Sequence, residues 1–250
     1  PILASYKDVP GNKATEAQIA LGAMLFHEPR LSGSHAISCA ACHNIGLGGG
    51  DDASTSVGHN FQQGGRNAPT VLNAAFNFAQ FWDGRAKDLF EQAGGPIVNP
   101  IEMNSPKEHI VEQLKSIPGY ADAFAKAFPG QGDPITLDNV QTAIAAFETT
   151  LITPNAPFDQ YLGGKADALN ADQQAGLKLF MDKGCAACHN GTNIGGGMYA
   201  KFGVAADPGE KYRPAADKGR SVVTKQASDD YSFKVPTLRN ITLTAPYFHT

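Results

Sequence analysis

The chain has 250 residues, 42% of them hydrophobic and 18% charged, with a formal net charge of −4. That balance suits a globular protein with a sizeable core and excludes the basic face that a nucleic-acid partner requires. No apolar run approaches the roughly 20 residues of a membrane span, and the opening PILASYKDVP has no signal-peptide pattern, so any leader is expected to have been removed.

Taken in chain order, the first predicted helix starts at Thr15, with Gln18 completing a capping box and Ile19, Leu21 and Leu25 as apolar positions. The hexapeptide CAACHN follows at Cys39–Asn44, then a loop in which seven of the 20 residues from Gly46 to Gly65 are glycine. Ser105, Pro106 and Glu108 read as N-cap, first helical residue and capping-box partner of a helix burying Ile110, Val111, Leu114 and Ile117. Leu137, Val140, Ile144, Phe147 and Leu151 step by three or four along one face of the next helix. The proline-rich TPNAPFDQ reads as a linker, giving expected domains of 1–152 and 153–250. A last helix runs from an Asn170 cap towards Gly184, directly before a second CAACHN at Cys185–Asn190. No segment alternates with period two, and 27 glycines and 16 prolines call for long connections. The expected fold is all-α with long irregular loops.

The chain also repeats itself. GAMLF precedes the first CAACHN and GLKLF the second, and a triple glycine follows each, at Gly48–Gly50 and Gly195–Gly197. Each half therefore reads as helix, CxxCH, glycine loop.

The four cysteines of the chain all lie in these two units, so there is none for a disulfide framework. CxxCH supplies two thiols spaced for the two vinyl groups of a c-type haem and a histidine placed to ligate its iron. A zinc ribbon needs its two CxxC pairs roughly 15–20 residues apart, and a redox CxxC needs a βαβ setting. Neither condition holds, so the expectation is two covalent haems: one on Cys39, Cys42 and His43, the other on Cys185, Cys188 and His189.

The remaining coordination position decides what each haem does, since methionine suits electron transfer and an open or displaceable position suits chemistry on a small ligand. For the first haem the candidates are His27, His35, His59 and His109. His59 stands out because its glycine-rich loop has the backbone freedom to bring a ligand in and take it away. An ordinary surface histidine is the plain alternative. For the second haem, Met181 and Met198 flank the motif too closely, Met24 and Met103 lie in the first half, and His249 is the only histidine downstream.

The stretches PRLSGSHAISCAACHN, SVGHNFQQGGRNAPTVLNAAFN, QFWDGRAKDLFEQAGGPI, GCAACHNG and TLRNITLTAPYFH together resemble the bacterial di-haem cytochrome c peroxidases, along essentially the whole chain. The resemblance implies two cytochrome-c-like haem domains. The N-terminal one would hold a low-potential peroxidatic haem, with His59 as a distal ligand released on reduction of the other haem. The C-terminal one would hold a high-potential haem that takes electrons from a small cytochrome c or a cupredoxin. It implies further that Trp82 lies between the haems, that Glu102 is the acid–base residue at the peroxide site and that Gln92 is its polar neighbour. A calcium ion is implied at the Asn67 side chain and the Thr244 and Pro246 carbonyls, oxygen donors that suit this cation. A periplasmic homodimer is the expected setting. The family's methionine ligand to the second haem falls beyond Thr250, and a related di-haem enzyme that matures a tryptophan-derived cofactor has tyrosine there. The alternatives are that maturation activity and a non-catalytic di-haem electron carrier.

Overall fold

The computed structural model describes residues 2–204 and 206–248, so His249 lies outside the described residues. The helices in order are α1 (Glu16–Phe26), α2 (Cys39–Cys42), α3 (Leu89–Val98), α4 (Lys107–Ser116), α5 (Tyr120–Ala127), α6 (Leu137–Thr149), α7 (Pro157–Leu162), α8 (Ala171–Asp182) and α9 (Ser221–Thr224). Long loops with short 3-10 turns join them. The expected mainly helical character holds, with one addition: Tyr199–Lys201 (β1) pairs antiparallel with Ser232–Lys234 (β2), Ala200 opposite Phe233. Strands of three residues are too short for an alternation to register in the sequence.

Local signals account for most helix ends. Thr15 and Gln18 form the reciprocal capping box of α1, and Asn170 and Gln173 form that of α8. Gly184, just beyond α8, takes the left-handed φ of +79° expected of a C-terminal glycine. The capping box expected for α4 does not form. The Ser105 N–H is drawn to the Ile97 carbonyl at 2.8 Å, Ser105 is buried with its Oγ unpartnered, and Pro106 becomes the N-cap with no side-chain bond.

The apolar core sits in the first half. Leu21, Leu25 and Phe26 of α1 meet Ile97 of α3, Ile110 and Leu114 of α4, Phe124 of α5, and Val140 and Ile144 of α6. The face expected on α6 divides: Val140 and Ile144 are buried, while Leu137, Phe147 and Leu151 pack partly buried against the same cluster. Gly22 sets the closest approach in this core. A Cβ there would lie 1.8 Å from the Ala143 carbonyl oxygen, so α1 can lie against α6 only with glycine at the contact.

The second half is built differently. Beyond Ile152, Leu169 and Val235 are the buried hydrophobic residues among those described, and α8 buries none of its side chains. Polar anchors do more of the work. Arg239 donates to both carboxylate oxygens of Asp159 at 2.9 and 2.8 Å and to the Thr192 carbonyl at 2.6 Å. Both side chains are almost wholly buried, at 4% and 1% exposure. Burial alone would raise the Asp159 pKa, but the guanidinium outweighs it and holds the carboxyl below its ordinary value. This pair ties α7 to the segment after β2, and the Leu3 N–H joins it at Asp159 Oδ1.

Losing one partner of a buried pair leaves an uncompensated charge, so Arg239→Met should cost about 3–5 kcal/mol of stability. Denaturant unfolding of the intact protein measures this. A loss under about 1 kcal/mol would show that the pair does not anchor the second half.

Candidate functional site

The two hexapeptides fold alike. In each, the chain turns once from the first cysteine, and the histidine N–H donates back to that cysteine's carbonyl: His43 to Cys39 at 2.9 Å and His189 to Cys185 at 3.0 Å. One turn carries both sulfurs and the imidazole in five residues, the arrangement a haem with two vinyl groups and one axial position requires. The following asparagine carbonyl then accepts from a glycine five residues on, Gly49 N–H to Asn44 and Gly195 N–H to Asn190, both at 2.9 Å. Both glycines have positive φ, and a Cβ on Gly195 would come within 2.1 Å of the Pro236 carbonyl oxygen. The triple glycines in the sequence are thus the places where each loop folds back over its histidine.

Each turn opens on a cavity. Cys39, Cys42 and His43 line one of about 460 Å³, and Cys188 and His189 line another of about 650 Å³. Both sizes fall in the range of cofactor sites, roughly 300–1,000 Å³. Cys185 is exposed and does not line the second. Among the described residues no three His, Cys, Asp or Glu side chains converge as a zinc cage requires.

The residues fit the implied haem at the first cavity. His43 Nδ1 lies 3.3 Å from the Gly49 carbonyl, so its hydrogen belongs on Nδ1 and the lone pair on Nε2 is left for a metal. Burial lowers the His43 pKa, which keeps the ring neutral. Burial also pushes the Cys39 thiol up to about 12, away from the thiolate that zinc or redox chemistry uses. At the second cavity His189 Nδ1 is buried without a partner in the described residues, so the two histidines differ in support.

The structure places the expected site residues as follows. Glu102 and Gln92 line the first cavity with His43. Burial raises the Glu102 pKa, and Asn99 Nδ2, donating to Oε1 at 2.7 Å, opposes that rise and fixes the carboxyl. His59 does not itself line the cavity, although Gly58 beside it does. The His59 N–H is shared between the Ile101 and Glu102 carbonyls at 3.0 and 2.8 Å, and its Nδ1 is buried and unpartnered. The loop can sit there because residue 58 is glycine: a Cβ would be 2.1 Å from the Ile101 oxygen. Asn60 and Phe61 both take left-handed φ, and the Phe61 ring is 91% exposed.

Trp82 lines both cavities, with Nε1 donating to the Asn67 carbonyl at 2.9 Å. Asn67, Thr244 and Pro246, the expected calcium donors, all line the second cavity. The other histidines considered for the first haem point elsewhere. His27 is exposed and bonded to the Ala23 carbonyl, and His35 and His109 meet each other. No methionine lines the second cavity among the described residues, while Met103 is buried at the first.

Two residues at the site have no signal in the sequence. Glu148 on α6 is buried at the first cavity, and burial pushes its carboxyl up to about 8. Lys234 on β2 is buried and lines both cavities; burial pulls its ammonium down to about 8, and its backbone N–H donates to the Trp82 carbonyl at 2.8 Å. A lone acid on a helix or a lone lysine in a short strand reads as surface, and only tertiary packing shows otherwise.

Glu148 makes stability depend on pH. Unfolded, the carboxyl loses its proton near 4.5; folded, it keeps it to about 8. The folded chain therefore binds the extra proton in that window, and stability falls as pH rises through it, then levels off. Glu148→Gln should remove the fall, on the order of a few kcal/mol at alkaline pH. Parallel melting-temperature profiles for the two proteins from pH 4.5 to 9 would contradict this.

Comparison with known proteins agrees with this geometry. A family model described as di-haem cytochrome c peroxidase matches residues 16–167. The chain is 55% identical over 250 residues to cytochrome c551 peroxidase of Pseudomonas aeruginosa, covering all of this chain and 72% of that protein. It is 54% identical over 229 residues to the cytochrome c551 peroxidase of Nitrosomonas europaea, covering 92% of this chain and 67% of the relative. Among solved structures, a MauG-like protein associated with microbial copper homeostasis superposes with a TM-score of 0.85 at 28% identity, over 99% of this chain and 74% of that one.

Proposed function

The chain belongs to the di-haem cytochrome c peroxidase family and is an oxidoreductase acting on hydrogen peroxide, and on that premise we propose a division of labour between its two cavities. The cavity of Cys39, Cys42 and His43, in a domain of residues 1–152, is the peroxidatic site. The cavity of Cys185, Cys188 and His189, in a domain of residues 153–250, is the electron-receiving site. The observation that carries this reading is the convergence of Glu102 and Gln92 on the His43 cavity, beneath the loop that bears His59.

Haem, when bound, supplies the coordination position for peroxide and the electrons that break its O–O bond. The overall change is H2O2 + 2e⁻ + 2H⁺ → 2H2O, and the chain's task is to place protons and control access. His43 gives its Nδ1 hydrogen to Gly49 and presents Nε2. Glu102, shielded from water and held by Asn99, takes the proton from the nearer peroxide oxygen and returns it to the departing one. Gln92 orients the peroxide with its amide. His59 lies outside the cavity lining in this structure, with its N–H on the Ile101 and Glu102 carbonyls. Its loop would bring it to the first site at rest and carry it away once the second site is reduced, and any such movement strains the two bonds to the segment carrying the acid.

Trp82, lining both cavities, suits an electron route between them. Asn67, Thr244 and Pro246 suit a calcium ion at the second cavity. The donor is a small cytochrome c or a cupredoxin, and the name of the Pseudomonas relative fits the first. A periplasmic homodimer is the setting proposed, since covalent haem is attached outside the cytoplasmic membrane; no helix among the described residues is long and apolar enough to cross a membrane. The second reading, cofactor maturation on a partner protein, rests on the family resemblance; the MauG-like neighbour is described by its association with microbial copper homeostasis. That reading requires turnover of a protein substrate where the peroxidase consumes a small electron donor.

Glu102→Gln should keep both covalent haems by denaturing-gel haem stain while steady-state peroxide turnover drops about 10²–10⁴-fold. Wild-type turnover in that variant would remove Glu102 from the mechanism. His59→Gly should react with peroxide in the fully oxidised protein, without prior reduction. Stopped-flow haem spectra that stay unchanged on adding peroxide to the oxidised variant would rule out His59 as the gate.

A further inference from the structure

Two histidines that the peroxide chemistry leaves unused come together on the surface. His35 lies in the loop four residues before Cys39, and His109 lies on α4. Their Nε2 atoms are 3.2 Å apart across 74 residues of sequence. The rings are within 16° of parallel with centroids 5.4 Å apart, so they meet nitrogen to nitrogen and not face to face. In this state one Nε2 carries a hydrogen and the other accepts it.

The backbone holds His35 in place for this meeting. Ser32, fully buried, accepts at Oγ from the Ala36 and Ile37 N–H groups at 3.2 and 3.1 Å, and its carbonyl accepts from the His35 N–H at 3.0 Å. The Gly33 N–H is bound to the Met103 carbonyl at 2.8 Å. Within that frame His35 takes a left-handed φ of 57°, a conformation unfavourable for a residue with a Cβ. His109 is fixed by a regular helix. Both ends of the contact therefore stand on anchored backbone, while the imidazoles themselves face solvent.

We infer that His35 and His109 form a two-histidine site for a divalent transition cation of the zinc, copper or nickel kind, which replaces the proton shared between their Nε2 atoms. Imidazole nitrogen suits these metals. At metal–nitrogen distances of about 2.0–2.1 Å, the present 3.2 Å separation corresponds to an angle of about 100–106° at the metal, close to tetrahedral. The backbone need not move; each ring only tilts off the nitrogen–nitrogen line. His35 is exposed, so water completes the coordination shell. The bound cation joins the loop leading into the first CAACHN to α4. It stands apart from both haem cavities, since neither histidine lines either one.

The test uses the holoprotein, treated with chelator and resupplied with calcium, and zinc chloride as the probe in isothermal titration. Wild type should bind one zinc ion at this pair, and copper(II) should bind more tightly than zinc. His35→Ala and His109→Ala should each weaken zinc binding by about tenfold or more. His27→Ala, a histidine bonded within its own helix turn, should leave it unchanged. Unaltered haem spectra show that the variants fold, so loss of zinc binding is read at the pair. Wild type that takes up no zinc, or variants that keep wild-type affinity, would overturn the assignment.

Discussion

Both halves of the molecule depend on one backbone hydrogen bond, from the N–H of the histidine after each CAAC turn to the carbonyl of the first cysteine. It closes a single turn, which brings Cys39, Cys42 and His43 to the first cavity and Cys188 and His189 to the second. The loops after each turn then follow the same rule, with the asparagine carbonyl capturing a glycine N–H five residues on. Glycine is required there because the loop turns with positive φ and passes close to other backbone. The repetition in sequence is therefore a repetition of backbone geometry, and it makes the two attachment turns alike.

The surroundings make them unequal. His43 is held at Nδ1 by the Gly49 carbonyl, whereas His189 Nδ1 has no protein partner among the described residues. A hydrogen bond at Nδ1 raises the basicity of the opposite nitrogen and fixes the plane of the ring. The first cavity is backed by the main apolar core and receives two carboxyl groups, the partly buried Glu102 and the buried Glu148. The second is bounded by loops and a two-stranded ribbon. Among the described residues, only the first brings glutamate carboxyl groups to its cysteine and histidine ligands; the second meets Cys188 and His189 with Asp51, Asp52 and Asp217 along its lining.

The wall between the cavities belongs to both. Trp82, Asn67 and Lys234 each line the two sites. The wall is held by charge as well as packing: Arg66 bonds Asp83 at 2.7 Å and spans Asp217 at 2.8 and 2.7 Å, joining residues 151 apart in the chain. Arg220 adds a bond to the Asp83 carbonyl. Lys234 is the odd member, an ammonium buried between two cofactor cavities with its charge disfavoured by desolvation.

What the sequence determined by itself was local. The CAACHN turns, the caps at Thr15 and Asn170 and the Gly184 stop are all set by residues within five or six positions of each other, and such signals survive in a linear reading. Motif resemblance extended that to Glu102, Gln92 and Trp82, which the fold gathers at the two cavities. The linear reading failed at α4, where a bond from the Ser105 N–H back to the end of α3 at Ile97 overrode a sound capping pattern. It was silent on Glu148, Lys234 and the His35–His109 contact, because burial and pairing across 74 residues have no periodicity to betray them. Only tertiary structure decided which lone polar residues face the cofactors. The cost of burying a charge depends on what surrounds it in space, and neighbours in space are not neighbours in sequence.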